Sequence, residues 1–173
     1  SIDLGAGNDT LTVSSQFGGF ALHNVEHMVV TSANAFYTLT NDQSGLAIDF
    51  GGGNSGLQIA AGSNSLALTG LQNVGTGDYI GGTGSAASDD TLTLLTDVSN
   101  LTVNLQEGNN TLNLAAGTNS IAAFNVQHIY GTASDDVLTM LNDAGGDTID
   151  LGAGNDTLNL TGFTGGVTVA NVE

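Results

Sequence analysis

The chain has 173 residues, with 17 Asp and Glu, three His and no Lys or Arg, for a formal net charge of -17. It lacks the cations that attract phosphate backbones or anionic lipid and the cysteines that build disulfides, thiolate metal sites or thiol nucleophiles; no apolar run approaches the roughly 20 residues that cross a bilayer. An apolar fraction of 40% is enough for a core, so one folded domain is expected and neither nucleic acid nor membrane insertion is.

Self-comparison organises the chain. Residues 1–26, SIDLGAGNDTLTVSSQFGGFALHNVE, return at 148–173 as TIDLGAGNDTLNLTGFTGGVTVANVE, an offset of 147 with 15 of 26 positions identical. Weaker copies open at Ile48 (IDFGGGNSGLQI) and Val103 (VNLQEGNNTLNL), which divides the chain into units 2–47, 48–102, 103–148 and 149–173. Segment 23–42 returns at 124–143, an offset of 101. Because the chain opens inside a motif and its end repeats its start, it is expected to be a stretch of a longer tandem array.

Seven short segments share one pattern. Each has a marker position, in order Asp9, Ala35, Ser55, Asp90, Asn110, Asp136 and Asp156, preceded every time by Asn or Asp. Apolar residues follow at two and four places after the marker, for example Leu11 and Val13, Leu92 and Leu94, Leu158 and Leu160. Alternation with period two is the signature of a strand with one buried face, and each segment follows a Gly/Asn/Asp/Ser turn. No helical stripe with caps competes. The expected fold is all-β, a parallel β-helix or β-roll solenoid. It would have about seven rungs, each of roughly 20 to roughly 26 residues, with two rungs to each repeat unit. In that arrangement the seven markers stack in a single file. The insertion in the second unit, near 78–85, is expected to bulge from a corner.

The segments LGAGNDTLT (4–12) and LGAGNDTLN (151–159) resemble the nonapeptide GGxGxDxUx of the repeats-in-toxin (RTX) family, with U large and apolar. Gly5, Gly7, Asp9 and Leu11 fill its positions in the first, and Gly152, Gly154, Asp156 and Leu158 in the second, with Leu4 and Leu151 in place of the first glycine. Segments 84–93 and 131–139 resemble the degenerate lead-in of such repeats. The resemblance implies a parallel β-roll whose Asp carboxylates and turn carbonyls hold Ca²⁺, and it implies an extracellular, secreted bacterial protein. The isolated nonapeptides, with Ser55 and Asn110 where Asp belongs, imply one or two sites rather than a ladder.

Electrostatics bears on the same residues. Asp135, Asp136 and Asp156 are expected at one corner on neighbouring rungs, where two unit charges about 5 Å apart repel by about 3 kcal/mol at an effective dielectric near 20. With no cationic side chain, the remedies are Ca²⁺, a raised carboxyl pKa, or splaying into water. The candidate metal ligands are Asp135, Asp136, Asn155, Asp156, Gly152 and Gly154, then Asp89 and Asp90, then Asp9. The other Asn at the corners are expected to form amide ladders. His27 and His128 occupy equivalent places and are expected to play local turn or surface roles.

No GxSxG, HExxH or phosphate loop is present, and no enzyme activity is expected. The expected function is structural: a repeat segment of an extracellular filament, surface layer or adhesin stalk whose copies stack end to end. The alternative is an ice- or carbohydrate-binding module using outward threonines such as Thr10, Thr12, Thr91, Thr93, Thr111 and Thr157 as a flat face. Thermal hysteresis or glycan binding would favour it.

Overall fold

The computed structural model describes residues 1–52, 55–71, 79–82, 87–142, 145–162 and 165–173. Among them there is no helix, and therefore none long and apolar enough to cross a membrane. Strands alternate between two parallel sheets. A nine-stranded sheet runs from Thr10–Val13 to Val167–Ala170, and an eight-stranded sheet runs from Phe17–Phe20 to Thr157–Leu160. A short pair, Ile2–Asp3 with Leu22–His23, completes the set. The chain winds through about eight turns; at about 4.8 Å per strand, the nine-stranded sheet is roughly 40 Å long. One turn takes from 17 residues, as from Asp9 to Glu26, to 26, as from Asn64 to Asp90.

The alternation read from the sequence decides what each strand buries. In Thr91–Leu94 the leucines are buried and the threonines face out. Stacking in register then builds apolar columns. Leu66, Leu92, Leu112, Ile129 and Ile149 form one on the nine-stranded sheet. Tyr37, Leu57, Ile80 and Val103 form one on the facing sheet. All are at most 3% exposed and belong to one continuous core. The Tyr37 hydroxyl, which has no place in an apolar column, donates to the Ser15 carbonyl.

The single file of markers does not exist. Thr10, Thr91 and Thr111 lie on the nine-stranded sheet, whereas Phe36, Gly56, Val137 and Thr157 lie on the eight-stranded one. The markers stack only in twos, Ala35 with Ser55, Asp90 with Asn110, and Asp136 with Asp156, because only these pairs are a single turn apart. The reason is a parity. From Thr10–Val13 to Gly56–Ile59 the chain makes five steps between strands of the two main sheets, and it makes five again from Thr111–Asn113 to Thr157–Leu160. Each of these intervals is therefore two and a half turns, not two, and successive copies of the motif land on opposite sheets.

One expected corner loop also differs. Within 78–85, residues Tyr79–Gly82 are a strand that pairs with Gly56–Ile59 on one side and Leu101–Asn104 on the other. Residues 78 and 83–85 lie outside the described residues.

Candidate functional site

At several corners an N–H at or near the residue that precedes a strand donates to a side chain of the next turn, whereas at others, as at Glu26, Gln127 and Gly146, it donates to a backbone carbonyl of a neighbouring turn. On the eight-stranded side, Val98 N donates to Asn119 Oδ1 at 3.3 Å, Asn119 N to Asp136 Oδ1 at 2.9 Å, and Asp136 N to Asp156 Oδ1 at 2.8 Å. On the nine-stranded side, Gln43 N donates to Asn64 Oδ1 at 3.0 Å, Asn64 N to Asp90 Oδ1 at 2.8 Å, Asp90 N to Asn110 Oδ1 at 2.9 Å, and Asn110 N to Gln127 Oε1 at 2.8 Å. At the first such corner Asp9 N donates to Glu26 Oε2 at 2.8 Å. Two inward runs of polar side chains thus tie successive turns together, from Gln43 to Gln127 on one side and from Val98 to Asp156 on the other, satisfying backbone donors at these corners.

Asparagine does more in this position than aspartate. The Asn119 amide nitrogen donates to the carbonyls of Ala115 and Gly117 and to Asp136 Oδ1, and that of Asn64 donates to Ala60, Gly62 and Asp90 Oδ1. An ionised carboxylate has no donor to offer those carbonyls. Correspondingly, Oδ2 of Asp136 and of Asp156 is buried with no hydrogen-bond partner, and so is Oδ2 of Asp9. Burial raises the Asp136 carboxyl above its ordinary value; the Asn119 hydrogen bonds oppose the shift and the charge of Asp156 adds to it. Burial likewise raises Asp90, opposed by Asn64.

The candidate ligands therefore divide between two environments. Asp136, Asp156 and Asp90 face inward. Asp135 stands outside, where its Oδ1 accepts Asn155 N at 2.9 Å, and Asp89 accepts Asn109 N in the same way at 2.9 Å. Neighbours along an extended segment point to opposite sides, so Asp135 and Asp136 do not converge. Asp9 belongs to the nine-stranded side and lies apart from Asp136 and Asp156. The glycines answer to packing: a Cβ on Gly152 would come within 1.7 Å of the Thr132 carbonyl oxygen, and one on Gly154 within 2.9 Å of the Ser134 backbone. Among the described residues no three His, Asp or Glu are arranged to hold a metal ion. Of the expected ligands, Asp136 and Asp156 come together on adjacent turns, each with a buried Oδ2 that has no hydrogen-bond partner.

Three further observations bear on the expectations. His27 Nε2 and His128 Nε2 each pair with an Asn Oδ1 one turn earlier, Asn8 at 3.1 Å and Asn109 at 2.9 Å. Of the outward threonines, Thr10, Thr12, Thr91, Thr93 and Thr111 lie on the nine-stranded sheet and Thr139 and Thr157 on the other; on the first sheet, strands carrying His27, Val29, Ala47 and Asp49 at these positions separate Thr10 and Thr12 from the rest, so the threonines do not make one continuous array. The corner acceptors Glu26 and Gln127 were not among the expected site residues. The signal was present as Asn-Val-Glu/Gln at 24–26 and 125–127, with Asn24 and Asn125 in the left-handed region at φ 52° and 53°.

No protein-family model, curated protein or solved structure matches the chain.

Proposed function

We propose that the chain is a structural segment of an extracellular β-solenoid of bacterial type, a filament, surface layer or adhesin stalk in which copies continue end to end. The observation that carries this reading is the pair of parallel sheets, eight and nine strands in continuous order, around one apolar core. Such a rod resists extension along its axis because many short contacts share the strain, and it needs no concave site to do its work. An acidic surface free of Lys and Arg, no cysteine, and the resemblance of 4–12 and 151–159 to RTX nonapeptides support an extracellular setting. Ca²⁺, held by Asp136 and Asp156, would neutralise two buried charges and couple folding to external calcium. No catalytic step is assigned to the chain.

Electron microscopy and thermal melting test this together. Fibres, sheets or linear rods are expected. Millimolar Ca²⁺ should raise the melting temperature by several degrees over matched NaCl, and Asp136→Ala or Asp156→Ala should remove that rise. Compact particles that never associate, or release of unsaturated or reducing ends from acidic polysaccharides, would refute the structural reading. An unchanged melt in Ca²⁺ would remove the ion alone.

A further inference from the structure

We propose that the outer face of the eight-stranded sheet carries a binding platform for uncharged saccharide, built from Phe17, Phe36 and Gly56 with Thr38 and Gln58 beside it. Phe17 and Phe36 occupy outward positions in register on adjacent strands and are 72% and 37% exposed. Neither belongs to the core, so core burial does not account for them. Phe17 is the most exposed large apolar side chain among the described residues.

The Phe36 ring has a defined place. Gly56 is in register on the next strand, and a Cβ there would lie 2.4 Å from Phe36 Cδ2 and 2.7 Å from Cε2. The ring therefore leans across bare glycine backbone and lies along the sheet instead of standing up from it. In the next outward column Thr38 Oγ1 donates to Gln58 Oε1 at 3.2 Å. That pair stands between two residues without side chains, Gly19 and Gly81, in register on either side. The result is an aromatic surface edged by a fixed hydroxyl and amide, with open space on the Gly19 side.

This combination suits a sugar. A pyranose ring presents a C–H face that packs on an aromatic plane, and a rim of hydroxyls that needs amide and hydroxyl partners. A net charge of -17 with no Lys or Arg repels acidic glycans and selects uncharged ones. The size of the patch also decides between occupants. Two partly exposed rings offer far less than the roughly 800 Å² per partner that a stable protein interface buries, so a small ligand fits where a second copy of the chain does not. The inference rests on this surface alone and is independent of the structural reading.

The test is retention of the purified chain on microcrystalline cellulose and chitin, with affinity electrophoresis in dextran as the soluble probe and alginate as the acidic one. Binding to at least one of the three neutral polymers is expected, and not to alginate. The Phe17→Ala/Phe36→Ala double variant should lose at least tenfold in affinity, and Gly56→Ala, which displaces the ring, should also weaken binding. Phe36→Tyr should retain binding, as should Tyr130→Ala on the other sheet. Phe17→Ser alone, at the most exposed position, keeps the test open if the double variant does not fold. Failure to bind all three neutral polymers, equal binding to alginate, or binding unaffected by Phe17→Ser would overturn the proposal. So would a concentration-dependent dimer that the same substitutions abolish, because the patch would then serve self-association.

Discussion

Asp136 and Asn119 occupy equivalent corner positions one turn apart, yet only one is fully satisfied there. Asn119 accepts through Oδ1 and donates through Nδ2, whereas Asp136 accepts through Oδ1 and leaves Oδ2 buried without a partner. In the presence of a chelator, Asp136→Asn should therefore stabilise the fold, by about 1–3 kcal/mol, the cost of an unpaired buried polar group; a fall in urea midpoint would contradict this. The same burial gives a pH dependence. Asp90 and Asp136 are raised above 3.8, burial being the largest cause, so over that range the folded chain holds protons the unfolded chain has released. Their contribution to stability is fully present below about pH 3.8 and is lost as pH rises through the folded values. The melting temperature should accordingly fall from mildly acidic to neutral pH, and fall less steeply in Asp90→Asn/Asp136→Asn. The sequence marked these corners as polar and acidic. It did not show that one carboxylate oxygen would be used on a backbone N–H and the other stranded, because that depends on the turn above.

At the level of the strand and its corner, the two best copies of the nonapeptide behave differently. Gly5 and Gly152 hold the same place in LGAGND and nearly the same backbone, φ 89° and 90°. A Cβ on Gly5 meets nothing within 4 Å, whereas one on Gly152 would run into the Thr132 carbonyl. Gly5→Ala should cost about 1 kcal/mol for the left-handed backbone alone. Gly152→Ala should cost several kcal/mol more, through separation of the stacked turns. Equal losses by chemical denaturation would show that close stacking does not matter at this corner. The strands themselves were legible from alternation, since Leu92 and Leu94 or Leu138 and Met140 could face only inward. The nonapeptide glycines were legible as turns, but their demand for space was not, because it is set by contacts with the preceding turn, remote in sequence.

For the whole molecule, the governing quantity is the number of half-turns between like motifs. An even number stacks them and an odd number places them back to back; the interval from Thr10–Val13 to Gly56–Ile59 contains five. One whole turn is the unit that can be removed without disturbing register. Deleting 137–156 joins Asp136 to Thr157, and Thr157 already stands directly over Val137. This variant should still melt cooperatively, with a denaturant slope reduced in proportion to the surface lost; a broad, non-cooperative transition would show that the turns are not interchangeable. By itself the amino-acid sequence determined that the chain is a coil of parallel strands with apolar columns inside and polar corners, because alternation and turn residues are local properties. Only the tertiary structure decided which sheet each strand joins, which acidic residues meet, and that the threonines face two ways. Both sheets bury alternate residues in the same manner, so the inside-outside pattern is identical for two turns and for two and a half, and only the closed winding of the chain distinguishes them.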